Sequence, residues 1–211
     1  MVSVLIVDDE TLLRSGLSLI LQAGDGLDVV GAVSGADAVA MTRATHPDVV
    51  LLDIHMPDVD GLEVLRQLTA LREAPVVAML TTFDSDDHLL AALRGGASGF
   101  LLKNTSPAAL VQMVHTLALG GTVLAPGVSV HALGSPTVDR EARARIGTLT
   151  GRELEILKLI TDGATNSEIC GALGISLGTV KDDVGMVLMK LGVRSRVLAA
   201  LAAARAGVTS T

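Results

Sequence analysis

The chain has 211 residues, 49% of them hydrophobic, and a net charge of −7, enough apolar material for one large core or two ordinary ones and too much for a disordered protein. No apolar run approaches the roughly 18 residues of a spanning helix, and the first segment reaches Asp8 too soon for a secretory leader, so a cytoplasmic protein without membrane association is expected. Cys170, the single cysteine, excludes an internal disulfide and lacks the Cys or His partners of a zinc site.

The charge is uneven. Residues 1–124 carry six Lys or Arg against fifteen Asp or Glu, whereas residues 148–211 carry seven against six. The acidity belongs to the N-terminal part, and a weakly basic C-terminal unit can still approach a phosphate backbone.

Short β-rich apolar runs at 4–7, 29–32, 49–52, 76–80 and 99–102 alternate with stretches whose leucines recur at helical spacing, such as Leu62, Leu65 and Leu68. This pattern predicts an α/β domain over 1–120, a doubly wound (βα)5 parallel sheet covered by helices. Its last helix, expected at 106–119, stops at Gly120-Gly121. Periodicity is then lost through Pro126, Gly134 and Pro136, so 121–147 reads as a linker. From Leu149 onward every signal is helical, with breaks at Gly163, 174–176 and Gly192; four short helices fit a second, smaller all-α domain over 148–211.

In an open parallel sheet of order 2-1-3-4-5, the C-terminal ends of strands 1 and 3 adjoin at the topological switch point, where ligands bind. Asp8 and Asp9 end strand 1 and Asp53 ends strand 3, so three carboxylates share one crevice. A hard divalent cation relieves their repulsion, and Mg2+ suits oxygen ligands while keeping several waters. Thr81 and Lys103, at the ends of strands 4 and 5, add a hydroxyl and an ammonium. The set meets the needs of phosphoryl transfer, where a protein chiefly positions groups and neutralises charge. Asp53 is then the nucleophile, Asp8 and Asp9 hold the metal, Lys103 pairs with the phosphoryl group and Thr81 bonds one of its oxygens. Any one of these residues alone reads equally as a solvated loop residue; five on four strand ends do not. The histidines, His46, His55, His88, His115 and His131, show no ligand or triad spacing.

Asp53-Ile54-His55-Met56-Pro57-Asp58-Val59-Asp60-Gly61 resembles the DxxMPxxDG motif of receiver domains, with Asp8-Asp9, Thr81-Thr82 and Lys103 at receiver spacing. By that resemblance Asp53 takes phosphate from a histidine kinase and His55 contributes its backbone carbonyl to Mg2+. The resemblance also makes Phe100 the aromatic that changes packing with Thr81, against plain core filling as the other reading. A receiver promotes only its own phosphorylation and dephosphorylation, so an enzyme acting on external substrates is not expected.

Farther on, Leu149-Thr150-Gly151-Arg152-Glu153-Leu154 and Gly163-Ala164-Thr165-Asn166-Ser167-Glu168 resemble the helix-turn-helix output domain of NarL/FixJ (LuxR-type) response regulators. Thr165 with Glu168 forms a capping box, and Ser176 can cap the next helix. That helix, 177–191, is the expected recognition helix, burying Val180, Val184, Val187 and Leu191 and turning Gly178, Asp182, Gly185, Met186 and Met189 outward. Expected DNA contacts are Thr165, Asn166, Thr179, Val180, Lys181, Asp182 and Lys190, and the resemblance implies homodimerisation on phosphorylation. Family members commonly carry His where Asp183 stands and polar or basic residues at 185 and 186. Asp183 faces repulsion from phosphate. An interaction protein that grips a protein partner through Met186 and Met189 is the alternative.

Overall fold

The computed structural model describes residues 1–82, 86–124 and 140–208. Pro126, His131, Gly134 and Pro136 lie outside the described residues.

Strict alternation along the apolar runs sends successive side chains to opposite faces of a sheet. In β1 (Val2–Val7), Val4 and Ile6 join a cluster with Leu17 and Leu21 of α1 (Thr11–Gln22) and Leu110, Val114 and Leu117 of α5 (Pro107–Ala118). Leu5 and Val7 point the other way, into a cluster with Ala38 of α2 (Ala38–Thr45), Val64, Leu65 and Leu68 of α3 (Gly61–Thr69), and Leu89 and Leu93 of α4 (Asp86–Gly95). With both faces covered, every residue of β3 (Val49–Asp53) is buried, which is why that strand is a continuous apolar run ending in one aspartate.

β2 (Leu27–Val33), β4 (Val76–Thr81), β5 (Gly99–Leu102) and β6 (Val123–Leu124) complete a parallel sheet of order β2-β1-β3-β4-β5-β6. The doubly wound order expected from sequence is present, extended by one strand. β6 is two residues long, too short to show a period, and is recognised only by its register, Gly99 with Val123 and Phe100 with Leu124.

Beyond α6 (Arg140–Ile146), four helices follow: α7 (Gly151–Thr161), α8 (Asn166–Leu173), α9 (Leu177–Leu191) and α10 (Arg196–Ala206). Their starts are written in side chains. Thr150 with Glu153 and Thr165 with Glu168 form capping boxes, and Ser176 accepts from the Thr179 N–H. Val180, Val184, Val187 and Leu191 all face a core shared with Ile156, Ile160, Ile169, Ala199 and Ala203.

The two halves touch. Val197, Leu198 and Leu201 of α10 pack against the sheet-and-α4 cluster. The Asn166 N–H donates to the Leu119 carbonyl at 2.9 Å, and the Arg196 guanidinium donates to the Gly120 carbonyl, the Ala164 carbonyl and Asn166 Oδ1. Gly120 has a left-handed φ of 77°, and a Cβ there would fall 2.2 Å from the Asn166 side chain.

Candidate phosphoryl-acceptor site and nucleic-acid interface

Parallel register delivers the acidic crevice. β1 and β3 pair in register through Val7 and Leu52, so the residues that follow, Asp8 and Asp53, emerge beside one another. Thr81 pairs with Leu102, and the Lys103 N–H donates to the Thr81 carbonyl at 2.8 Å, so Lys103 leaves the sheet one strand farther on. Asp8, Asp53 and Thr81 are buried.

Lys103 ties the crevice together. Its Nζ lies 2.8 Å from Asp8 Oδ2, 2.9 Å from Asp53 Oδ2 and 3.3 Å from Glu10 Oε1. Burial pushes the Asp53 carboxyl above the ordinary carboxylate range, against the opposing pull of the Lys103 ammonium and the His55 N–H, which donates to Asp53 Oδ1 at 3.2 Å. Burial also works to lower Lys103, but its hydrogen bonds to Asp8 and Asp53 outweigh that and hold its pKa above the usual lysine value. The ammonium therefore stays charged while the carboxylate beside it is held at a cost.

The backbone around Asp53 is clamped from below by Gly61. Its N–H donates to the Ile54 carbonyl at 3.2 Å, and a Cβ at 61 would lie 2.2 Å from the Asp53 carbonyl oxygen. Asp60 caps α3 by accepting the Leu62 N–H at 2.9 Å, so the Asp-Gly pair both starts the helix and lets it approach the acceptor loop.

Asp9 accepts the Gly35 N–H on Oδ1 at 3.2 Å, while its buried Oδ2 has no hydrogen-bond partner. An unpartnered buried carboxylate oxygen next in sequence to Asp8 fits a cation. Among the described residues no group of three or more His, Cys, Asp or Glu side chains is arranged to hold a metal ion; an ion here would need backbone carbonyl and water beside the carboxylates, as Mg2+ takes them. His55 is exposed at the mouth, its ring edge-on to that of His88 with centroids 5.1 Å apart, a pairing across 33 positions that spacing does not reveal. Phe100 is buried in the cluster shared with α4.

The helical half distributes its predicted residues differently. Lys181 and Asp182 are exposed on α9. Thr165 and Thr179 are half-buried, with hydroxyls used in capping: Thr165 Oγ1 donates to Glu168 Oε2 at 2.8 Å, and Thr179 Oγ1 lies 2.8 Å from Ser176 Oγ. Val180 is fully buried between helices, so its side chain cannot face a groove; the periodicity that put it on the apolar face outranks its place in the contact motif. Asn166 is 7% exposed, held by Leu119 and Arg196. Lys190 Nζ is 2.7 Å from Glu153 Oε2, which serves the cap of α7 at the same time. That hydrogen bond, with the Thr150 N–H, holds the Glu153 carboxyl below the usual range.

Asp183, the residue expected to repel phosphate, is paired with Arg152 of α7, a partly exposed contact that offsets part of its charge. The sequence pattern does not reveal Glu10 or Arg152 as partners, because each meets its counterpart only through tertiary approach.

A switch-point crevice in which Lys103 bridges two buried aspartates is the arrangement expected of a receiver domain, here joined to a helix-turn-helix. The comparisons agree. The family model for the response regulator receiver domain matches residues 4–115, and that for bacterial regulatory proteins of the luxR family matches 147–203. Transcriptional regulatory protein LnrK of Bacillus subtilis (strain 168) is 36% identical, covering 99% of each chain. Nitrate/nitrite response regulator protein NarL of Escherichia coli (strain K12) is 33% identical over 94% of this chain and 93% of its own. Among solved structures, the response regulator ChrA of a heme-sensing two-component system aligns over 98% of both chains at 34% identity with a TM-score of 0.53. The chain belongs to the NarL-type, LuxR-family response regulators and is a DNA-binding transcriptional regulator, of a family that is not one of catalytic enzymes.

Proposed function

We propose that a histidine kinase phosphorylates this regulator on Asp53 and that the modification controls DNA binding by residues 148–211, with 1–120 as the receiver and 121–147 as the linker. The observation that carries the reading is Lys103 bridging Asp8 and Asp53 at 2.8 and 2.9 Å, while the buried Oδ2 of Asp9, next in sequence to Asp8, lacks a hydrogen-bond partner.

Asp8, Asp9, Asp53 and the His55 backbone carbonyl would hold Mg2+, which when bound neutralises charge on the phosphoryl oxygens. Asp53 Oδ attacks the phosphorus of a phosphohistidine; the P–N bond breaks, its electron pair leaves on the imidazole, which gains a proton, and an acyl phosphate remains. Lys103 then pairs with the phosphoryl group, and Thr81 donates its hydroxyl to one of the oxygens. The receiver thus serves its own phosphorylation and, with water as acceptor, its own dephosphorylation. Phe100 follows Thr81 as the packing around the strand ends changes, and the phosphorylated chain forms a homodimer in the cytoplasm.

On DNA, Lys181, Thr165 and Thr179 meet phosphates and Asp182 faces base edges. Asn166 and Lys190 join them only if Arg196 and Glu153 release them. Incubation with a small acyl phosphate and Mg2+ should add one phosphoryl group by intact-mass measurement, and Asp53→Asn should abolish the gain. A gain that persists in the variant would move the site elsewhere.

A further inference from the structure

The exposed face of α9 holds an unusual residue set. Gly178, Asp182, Gly185 and Met189 recur at spacings of four, three and four, with Met186 one turn from Asp182, so all five share one stripe opposite the buried valines. Met186 is 41% and Met189 64% exposed. Across the described residues 140–208, the exposed large hydrophobic side chains are these two and Leu177, all on α9. Leu177 faces a different way, lining a crevice with Asp48 and Glu73 of the receiver half. A Cβ added at Gly185 would meet nothing within 4 Å, and at Gly178 only the Ser176 hydroxyl at 3.9 Å, so the helix surface is shaved flat on both sides of Asp182.

Each base pair in the major groove selects its side chains by chemistry. Guanine takes Arg or Lys, adenine takes Asn or Gln, the cytosine amino group takes a carboxylate, and the thymine methyl takes an apolar contact. The stripe contains no Arg, Lys, Asn or Gln. Its side chains serve two of the four patterns: Asp182 accepts from a cytosine amino group, and Met186 and Met189 contact thymine methyls. The nearest cation, Lys181, sits at the edge of the stripe and, with Leu177, lines the crevice that holds Asp48 and Glu73. The glycines let the backbone descend far enough for unbranched methionines to reach the groove floor.

Building on the DNA-binding reading of α9, we propose that this regulator reads its half-site as pyrimidines: a cytosine through Asp182 and thymine methyls through Met186 and Met189. The helical rise puts Met186 about 6 Å and Met189 about 10 Å along the axis from Asp182, so the two methionines reach different base pairs. The Arg152 guanidinium paired with Asp183 offsets part of the charge that would hold the stripe away from DNA.

The test uses the full chain treated with an acyl phosphate. Bound duplexes are selected from a random pool, and each thymine of the selected site is replaced by uracil, which deletes the methyl and keeps the pairing. Affinity should fall about fourfold at two thymines of each half-site. Met186→Ala should lose the uracil effect at one of them and Met189→Ala at the other, with thermal midpoints unchanged because both side chains are exposed. Asp182→Ala should relax the preference for cytosine at its position. Specific binding that is indifferent to uracil throughout, or a uracil effect that survives in both methionine variants, overturns the pyrimidine reading and leaves DNA binding standing. Failure to enrich any sequence, with or without the acyl phosphate, overturns both.

Discussion

The crevice and the recognition helix, two polar surfaces of one chain, were assembled by opposite rules. In the crevice, residues from four strand ends converge, and the same Lys103 ammonium satisfies two buried carboxylates. On the helical domain the predicted contacts scatter: one is core, two are consumed by internal partners, two serve as caps, and Lys181 and Asp182 stand exposed. Most buried polar groups find partners within the protein, so the geometry of such pairs is over-determined. An exposed face is whatever the packing leaves over.

The comparison is tested most severely at Asp53. Asp53→Asn is expected to remove phosphorylation entirely and yet stabilise the receiver. Burial raises the Asp53 pKa above its unfolded value, so the folded state holds the proton more tightly. The associated stability is present below the ordinary carboxylate pKa and is lost as pH rises through the raised value, leaving the ionised group unfavourable at neutral pH. The thermal midpoint of the variant at pH 7 should exceed that of the parent by about 4 °C, and the gap should close in acid. A lower midpoint at neutral pH would mean that the Lys103 pair outweighs the burial.

Gly61→Ala comes next, at roughly 3 kcal/mol of destabilisation, the upper end for an overpacked core, because a Cβ would sit 2.2 Å from the Asp53 carbonyl oxygen. Denaturant titration and acyl-phosphate reactivity should fall together. If stability drops and reactivity holds, the loop is not the device that aims Asp53.

Lys190→Ala probes the other region. Lys190 and the Thr150 N–H lower the Glu153 pKa, and such a depressed carboxyl contributes stability that is present above its unfolded pKa and fades as pH falls through the lowered folded value. The variant should flatten that acid limb in thermal melts of the helical domain, with little change at alkaline pH. An unchanged limb would free Lys190 from its structural role and return it to the DNA contacts.

The smallest effect belongs to Asp183→Asn, under about 1 kcal/mol in stability because the Arg152 pair is partly exposed. DNA affinity should change by less than tenfold in gel-shift titrations at fixed salt. A large gain in affinity would show that Asp183 still repels phosphate despite Arg152.

How much was legible followed the same division. The strand runs, the switch-point order and the meeting of Asp8, Asp53 and Lys103 could be read because a period of two and a parallel register translate position into geometry directly. The caps at Thr165 and Ser176 were legible because capping is local. Glu10, Arg152 and Glu153 were hidden as partners, since each ion pair joins residues on different elements. β6 was hidden because two residues carry no period.

The sequence by itself determined the doubly wound sheet, the four C-terminal helices, the meeting of Asp8, Asp53 and Lys103 and the apolar face of α9, all consequences of periodicity and of what strand ends bring together. Only the tertiary structure decided that Asn166 is held by Arg196 and the end of α5, that Lys190 belongs to Glu153 and that Asp183 is paired with Arg152. Those outcomes depend on which charged groups come within hydrogen-bond reach once separate elements have packed, and a linear pattern does not encode that distance.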